Sequence, residues 1–307
     1  MGLVFSTSWN AFRYTHAEKL VFDIKELGFN EIELSFNLTA DIIQEIEGLV
    51  KNGGITVRSV HNFCPIPAGV ERKLALPDYY SMSSQDEDER AKAVKQTKET
   101  IDTAARLNAS AAVLHCGRVE IPDRTRDLIG LYERGQAGSR EFLELRSEMA
   151  AQRKTLQRPY FENTLKSLEE LNRYADKKGI ALGVENRFYY REIPDFSEIG
   201  LILDAFKGSR IFYWHDVGHA QVMDNLGFAR HMDFLDSYKD RLFGVHLHDL
   251  KGCSDHQAPF EGGFDFRKLL PYIKEDTLKV IEAHHPATGE DIIQGRKILE
   301  AVFNGKR

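Results

Sequence analysis

Short apolar runs alternate with amphipathic helical stretches eight times along this chain. The predicted strands cover residues 2–7, 31–35, 56–61, 111–115, 180–185, 211–216, 242–248 and 278–283. The predicted helices cover residues 15–27, 39–51, 86–107, 160–178, 195–206, 222–239, 265–274 and 289–303. Strict alternation of eight strand–helix units predicts a single α/β domain over residues 1–307, a (β/α)8 TIM barrel.

The first predicted strand argues against an open, doubly wound sheet. Such a sheet usually carries a glycine-rich phosphate-binding turn directly after its first strand. Here that turn reads Ser6-Thr-Ser-Trp-Asn10 and contains no glycine. The pattern therefore favours the closed barrel.

Two segments interrupt the regular alternation. A loop with several Pro and Tyr residues runs from Asn62 to about Asp86, and a charged segment over residues 118–158 predicts a helical insertion after strand four. Both follow barrel strands, so both are expected over the C-terminal face, where loops of this length are usually functional. For the insertion, a solvated hairpin, a lid and a subunit contact all stay open.

Polar residues end four successive strands at intervals of about 30 residues, the length of one strand–helix unit. These residues are Glu185, Asp216, His246 and Glu282. The C-terminal ends of barrel strands meet at one rim, where polar side chains are typical of catalytic sites. Carboxylates together with an imidazole are also a ligand set for divalent metals. The spacing therefore predicts a metal site held by these four side chains, which we call the quartet.

Strand parity supports this interpretation, because alternate side chains of a barrel strand point inward. Glu185 shares its face with Gly183, and His246 shares its face with Gly244 and Leu242. Small and apolar residues behind each polar terminus are typical of a filled barrel with a polar top layer. His248 has the same inward parity as His246, and the sequence leaves both as candidate ligands.

Strands three and four end in the same way, in His61 and His115. A polar residue at a single strand end is most often structural, but six consecutive strands make that explanation poor. Asp216 opens Asp216-Val-Gly-His219, where a turn lets His219 face the cavity as a metal ligand or a substrate contact. Glu33, inward on strand two, is a candidate partner of His61, a substrate contact or a structural residue.

Composition limits the function classes. The 307 residues carry a net charge of −6, so no general basic surface for nucleic acid is expected. No apolar run approaches the roughly 20 residues that span a bilayer, and no signal peptide is expected. Three cysteines without paired spacing suit a reducing compartment. We therefore expect a cytoplasmic protein without membrane partners.

Taken together, these motifs resemble the xylose isomerase-like TIM barrels, a superfamily of sugar (phosphate) isomerases and epimerases and of endonuclease-four-type AP endonucleases. The matching segments are Glu185-Asn-Arg187, Asp216-Val-Gly-His219, His246-Leu-His-Asp249, His256 before Glu261-Gly-Gly-Phe-Asp265, and Glu282. The resemblance covers most of the chain apart from residues 118–158. The motifs are specific for the superfamily and not for the reaction.

The epimerase pattern implies that the quartet holds one divalent ion, Mn²⁺ or Zn²⁺, with Mg²⁺ or Co²⁺ also allowed. Glu185 and Glu282 would serve as catalytic acid and base on opposite faces of a ketose, through an enediolate. The expected substrate-binding residues are Glu33, His61, His115, Arg187, His219 and His256. The partner would be a small sugar or sugar phosphate, and a homo-oligomer stays open.

The AP-endonuclease pattern implies a different use of the same residues, a three-zinc cluster acting on abasic DNA. Its ligands would be His61, His115, Glu185, Asp216, His219, His246, His256 and Glu282. That family has an aspartate two residues before its downstream histidine, whereas this chain has Ser254, with Asp255 as the nearest acid. The departure favours the isomerase or epimerase, and a metal-dependent phosphodiesterase is the alternative.

Overall fold

A computed structural model describes residues 2–305, in which eight parallel strands close into a barrel. The barrel strands are β1 (Leu3–Ser6), β2 (Glu31–Leu34), β3 (Thr56–His61), β4 (Ala111–Leu114), β5 (Ala181–Glu185), β6 (Ile211–Asp216), β7 (Leu242–Leu247) and β10 (Leu278–Ile281). A short antiparallel hairpin, β8 (Asp249–Lys251) and β9 (Ser254–Gln257), stands between the last two. Pairing of β1 with both β2 and β10 closes the sheet and confirms the predicted TIM barrel.

Helices lie between the strands, as the pattern predicts. They are α1 (Ala17–Glu26), α2 (Ala40–Lys51), α3 (Glu87–Arg106), α4 (Thr125–Glu133), α5 (Arg140–Lys178), α6 (Phe196–Ala205), α7 (Val217–Asn225), α8 (His231–Tyr238) and α9 (Gly289–Asn304). Side-chain caps fix several starts; Thr39, for example, accepts a hydrogen bond from the backbone N–H of Ile42. Between residues 2 and 305, no helix is long and apolar enough to cross a membrane.

The barrel interior is filled by a large aromatic side chain packed against small residues. Trp214 is fully buried inside the barrel, and its ring centroid lies 5.2 Å from that of His246. Gly183 and Gly244 leave the space that the indole occupies, because a Cβ at either position would lie within 3.0 Å of the ring. The packed indole therefore supports His246 from below.

Strand parity fails at one predicted position. Tyr213 pairs with Leu242, but Trp214 pairs with Gly244, so the β6–β7 register skips Phe243. Leu242 consequently packs in the outer hydrophobic layer rather than inside the barrel. The prediction that Leu242 shares the inward face of His246 is wrong because of this bulge.

The charged insertion is continuous with the helix that follows it. After α4, a single helix, α5, runs through Pro159 into the segment predicted as a separate helix. Tertiary contacts hold α5 on both sides of the proline: Arg153 pairs with Glu198 at 2.7 Å, and Thr164 Oγ1 donates to the carbonyl of Cys116. These contacts outweigh the local preference for a helix boundary before proline.

Two other helical segments differ from expectation. The segment 222–239 divides into α7 and α8 around Gly227, which has a φ of +73°. The helix predicted over 265–274 is reduced to a 3-10 turn, Phe266–Leu269. In the preceding loop, the Asp249 carboxylate accepts backbone N–H groups of Leu250, Phe260 and Phe264, which stabilises an irregular conformation.

We expect Gly244→Ala to destabilise the protein by about 1–3 kcal/mol, because a methyl group there overpacks the interior. The new Cβ would lie 2.4 Å from Cζ3 of Trp214. The matched control is Gly48→Ala on α2, where no atom lies within 4 Å and the change should stabilise slightly. Thermal unfolding of both variants checks this, and equal stabilities would contradict the packing argument.

Candidate active site

One cavity of about 640 Å³ opens at the C-terminal ends of the strands, between α4 and the β8–β9 hairpin. It is lined by Phe36, His61, Pro77, His115, Arg126, Ile129, Gly130, Glu133, Glu185, Arg187, Phe188, Tyr189, His219, Cys253, Ser254, Asp255, His256, Glu282 and His284. The long loop after β3 contributes Pro77, and the insertion contributes one face of α4. Most of the sequence-predicted site residues therefore meet in one place.

The quartet surrounds a single point. One donor atom from each of Glu185, Asp216, His246 and Glu282 lies within 4.8 Å of the others, and all four side chains are buried. His246 Nδ1 lies 2.9 Å from Glu185 Oε1, 3.0 Å from Glu282 Oε2 and 3.5 Å from Asp216 Oδ2. Three carboxylates facing one imidazole nitrogen form a donor set that suits Mn²⁺ or Zn²⁺.

The electrostatics of this point favour positive charge. Burial acts to lower the pKa of His246, but Glu282 and Glu33 outweigh burial and raise it well above its ordinary value. Buried carboxylates without a cation between them repel one another, and a divalent ion would offset that repulsion. The residues present therefore fit a divalent metal.

Glu33 lies behind His246 and is not among the residues that line the cavity. Its Oε1 is 3.1 Å from His246 Nε2, and its Oε2 accepts the Ser59 hydroxyl at 2.7 Å. Glu33 is fully buried, and its contacts are with His246 and Ser59 rather than with the open cavity. A carboxylate on the far nitrogen of a ligand histidine fixes the ring orientation and raises its basicity.

His248 and His246 belong to different groups of donor atoms. His248 Nε2 lies 2.9 Å and 3.0 Å from the two Asp216 oxygens, and its Nδ1 accepts the backbone N–H of His256. His248 therefore holds the Asp216 carboxylate within a group that includes His219 and His256, whereas His246 groups with Glu185, Asp216 and Glu282. Gly218 makes this possible, because a Cβ there would lie 2.1 Å from the His248 ring.

Asp216 is held in place from several directions. Its backbone N–H donates to Asn186 Oδ1 at 2.8 Å, and Asn186 Nδ2 donates to its carbonyl at 2.9 Å. Its carboxylate also caps α7 by accepting the backbone N–H of His219 at 2.7 Å. His219 therefore stands in the first turn of α7 rather than on a turn, and it still faces the cavity.

Arg187 lines the cavity but is already paired. Its Nη1 lies 2.9 Å from Glu185 Oε2, and its Nε lies 3.2 Å from Glu192 Oε2. Burial acts to raise the pKa of Glu185, but Arg187 together with His115, His246 and His61 lowers it well below its ordinary value. Arg187 thus helps to keep Glu185 ionised.

His61 and His115 approach Glu185 Oε2, the same oxygen that Arg187 contacts. His115 Nε2 lies 2.9 Å from Glu185 Oε2, and His61 Nε2 lies 3.7 Å from it. Burial and then Arg187 lower the pKa of His115 to about 3, so its imidazole is neutral at pH 7. The three donors lie within 4.8 Å and could hold a ligand hydroxyl or a second ion.

The β8–β9 hairpin places the carboxylate of Asp255 beside His256, although residue 254 is a serine. Asp255 Oδ2 lies 3.0 Å from His256 Nδ1 and 3.6 Å from His219 Nε2. Burial acts to lower the pKa of His256, but Asp255 outweighs it and raises the pKa to about 9. His256 is therefore an imidazolium at neutral pH, paired with Asp255.

His284 is a cavity residue that the motifs did not identify. Its ring stacks on His256 with centroids 3.9 Å apart, and within residues 2–305 its buried Nε2 has no hydrogen-bond partner. Burial and then His256 lower its pKa to about 3, so the ring is neutral. Its parity with Glu282, two residues earlier, was the one sequence signal that could have revealed it.

Comparison with known proteins places the chain in a class. A sequence profile described as "Xylose isomerase-like TIM barrel" matches residues 21–302, and the chain belongs to this family. This confirms the resemblance carried by the strand-end motifs. No curated protein matches the chain.

Solved structures share the fold over the whole length. A D-tagatose 3-epimerase-like protein aligns with a TM-score of 0.68 and 18% identity, covering 100% of this chain and 99% of the other. An Escherichia coli 3-keto-D-glucoside 4-epimerase aligns with a TM-score of 0.69 and 14% identity, covering 98% of this chain and 99% of the other. A D-allulose 3-epimerase from a Methylomonas species aligns with a TM-score of 0.67 and 15% identity, covering 98% of both chains. At these identities the likeness shows the fold alone.

We expect Glu33→Gln to weaken Mn²⁺ affinity about 10–100-fold, because the neutral amide no longer stabilises a metal-bound His246. Calorimetric titration of chelator-treated protein measures this. The control is Glu31→Gln, two residues earlier on β2, whose carboxylate pairs with Arg58. Unchanged affinity in Glu33→Gln would show that Glu33 does not support a metal ligand.

Proposed function

We propose that the protein is a metal-dependent isomerase or epimerase of a sugar, acting at the carbon next to a carbonyl. The observation that carries this proposal is the pair of buried carboxylates, Glu185 and Glu282, facing one point together with Asp216 and His246. Such a pair provides both a proton acceptor and a proton donor at a metal-binding centre. The named relatives with this fold act on sugars, which supports the same substrate class here.

The quartet residues would hold the divalent ion, Mn²⁺ or Zn²⁺ by donor type, with Mg²⁺ or Co²⁺ as alternatives. When bound, the ion supplies Lewis-acid polarisation of the substrate carbonyl and the adjacent hydroxyl, which acidifies the C–H bond between them. One glutamate accepts that proton at its carboxylate oxygen and leaves an enediolate. The other glutamate takes up a proton from solvent and delivers it to the opposite face of the enediolate, which inverts the carbon, and the first glutamate releases its proton to solvent.

The surrounding residues prepare both glutamates for this exchange. Arg187 and the neighbouring imidazoles keep Glu185 ionised, as described above. Burial acts to raise the pKa of Glu282, but His246 and His256 outweigh burial and lower it. Both carboxylates are therefore unprotonated in the free protein and ready to act as the base. His61, His115, His219 and His284 offer ring nitrogens to substrate hydroxyls around the same point.

The three cysteines are buried and unpaired, which suits a reducing compartment, and we infer a cytoplasmic location.

Glu185→Gln and Glu282→Gln should each reduce turnover about 10²–10⁴-fold, because each removes a proton-transfer group. The measurement is deuterium uptake from D₂O into a ketose at saturating Mn²⁺, which separates proton transfer from weakened metal binding. Glu144→Gln, on the exposed side of α5, serves as the control. Wild-type exchange in either active-site variant would contradict the assigned roles.

His284→Ala should raise KM by about 2–10-fold, because one hydrogen bond to the substrate is lost. The Mn²⁺ affinity should stay unchanged. Its neighbour His285 is exposed and does not line the cavity, so His285→Ala is the matched control. Steady-state kinetics and metal titration check both variants. A loss of metal affinity in His284→Ala would instead make His284 a ligand.

A phosphodiesterase acting on abasic DNA is the second candidate, favoured by one specific observation. Three further donor groups flank the quartet: His61 and His115 share Glu185, His219, His248 and His256 share Asp216, and His256 and His284 share Glu282. A multi-metal nuclease would use such groups. Metal stoichiometry and incision of an abasic duplex discriminate: one ion without incision supports the isomerase, and three ions with incision support the nuclease.

A further inference from the structure

The outer wall of the cavity is one face of α4. Four residues of this helix line the cavity: Arg126, Ile129, Gly130 and Glu133. Leu128 and Leu131, on the opposite face, are buried, and Thr125 Oγ1 accepts the backbone N–H of Tyr190 at 3.0 Å. The α4 helix is therefore fixed to the barrel, and these four residues form the cavity wall opposite the quartet.

The cavity is larger than a single ketose needs. Arg126 and Glu133 are separated by about 10 Å along the helix axis. The 640 Å³ cavity falls within the range of about 300–1,000 Å³ that is typical of sites for drug-sized ligands. A ketohexose is smaller than such a ligand, with only about a dozen non-hydrogen atoms. Space therefore extends from the quartet to α4 beyond one sugar ring.

An aromatic strip connects the quartet with this outer space. Phe188 packs on His219 with ring centroids 5.0 Å apart, and Tyr189 packs on Phe188 at 4.3 Å. Arg126 continues the strip, with its guanidinium 5.3 Å from the Tyr189 ring and a hydrogen bond to the Tyr189 hydroxyl. The apolar face of a sugar ring packs well on such aromatic surfaces.

The charges at the outer end favour a neutral, hydroxyl-rich group. Within residues 2–305, the Glu133 carboxylate makes no hydrogen bond or ion pair, and Arg126 has no carboxylate partner. Sugar hydroxyls can accept from Arg126 and donate to Glu133. Arg126 and Glu133 together carry no net charge, so the outer end gives a phosphate no net attraction, and the other cavity guanidinium, Arg187, is already paired with two carboxylates.

We propose that the substrate is a ketose carrying a second, uncharged sugar ring. The reacting carbons lie at the quartet, and the second ring packs on Phe188 and Tyr189 against Arg126 and Glu133. This inference rests on the proposed function and adds to it the size and charge of the substrate. It assigns the helical insertion a role in substrate selection.

A series of ketoses tests the inference: D-fructose, D-fructose 6-phosphate, and the glucosyl-fructoses isomaltulose and maltulose, joined through O6 and O4. Deuterium uptake from D₂O by the Mn²⁺-loaded protein gives kcat/KM for each. At least one glucosyl-fructose should exceed both D-fructose and its 6-phosphate by tenfold or more. Arg126→Ala and Glu133→Gln should each reduce that value by at least fivefold and change D-fructose by less than twofold.

The matched controls are Arg134→Ala and Asp127→Asn, which change exposed charges in or beside α4 outside the cavity wall. Neither should change the ratio between the substrates. A preference for D-fructose or its 6-phosphate, or equal losses on all ketoses in the α4 variants, would overturn the inference and leave the proposed function intact. Absence of exchange with every ketose would overturn both.

Discussion

The site depends on a concentration of buried negative charge around one imidazole. Glu33 contacts one nitrogen of His246, while Glu185, Asp216 and Glu282 face the other. Isolated carboxylates at this depth would cost several kcal/mol each. They are tolerated here because guanidinium and imidazole groups surround them and because a divalent ion fits between them. Burying these carboxylates without a cation costs free energy, and for the same reason the centre binds a cation in preference to a neutral or negative group.

The barrel supplies the rigidity that this arrangement needs. Strands β5, β6 and β7 and the end of β10 each deliver one quartet member, and Trp214 fills the space beneath them. Gly183 and Gly244 allow the indole to fit, so the small residues behind the polar rim are part of the site. The loops then add what the strands cannot, with α4 and the β8–β9 hairpin forming the walls of the cavity.

Residue alternation predicted the strand-borne part of the site well. Glu185 and His246 lie where strand parity puts them, because the side chains of a barrel strand alternate strictly between bulges. The inward orientation predicted for Leu242 was wrong because a bulge shifts the register of its strand. The position of Asp255 depends on the β8–β9 hairpin, which the strand pattern did not predict, and His284 was signalled only by its parity with Glu282 beyond the end of β10. The contact between Glu33 and His246 could not be predicted from the sequence, because it depends on which strands face each other across the barrel.

The most direct test of the account is a crystal structure of the Mn²⁺-loaded protein with anomalous data at the manganese edge. The account predicts one strong peak bound by Glu185, Asp216, Glu282 and Nδ1 of His246, with Glu33 on the far nitrogen of that ring. A peak held by His61 and His115 alone, or a set of three peaks, would contradict a single-ion sugar enzyme.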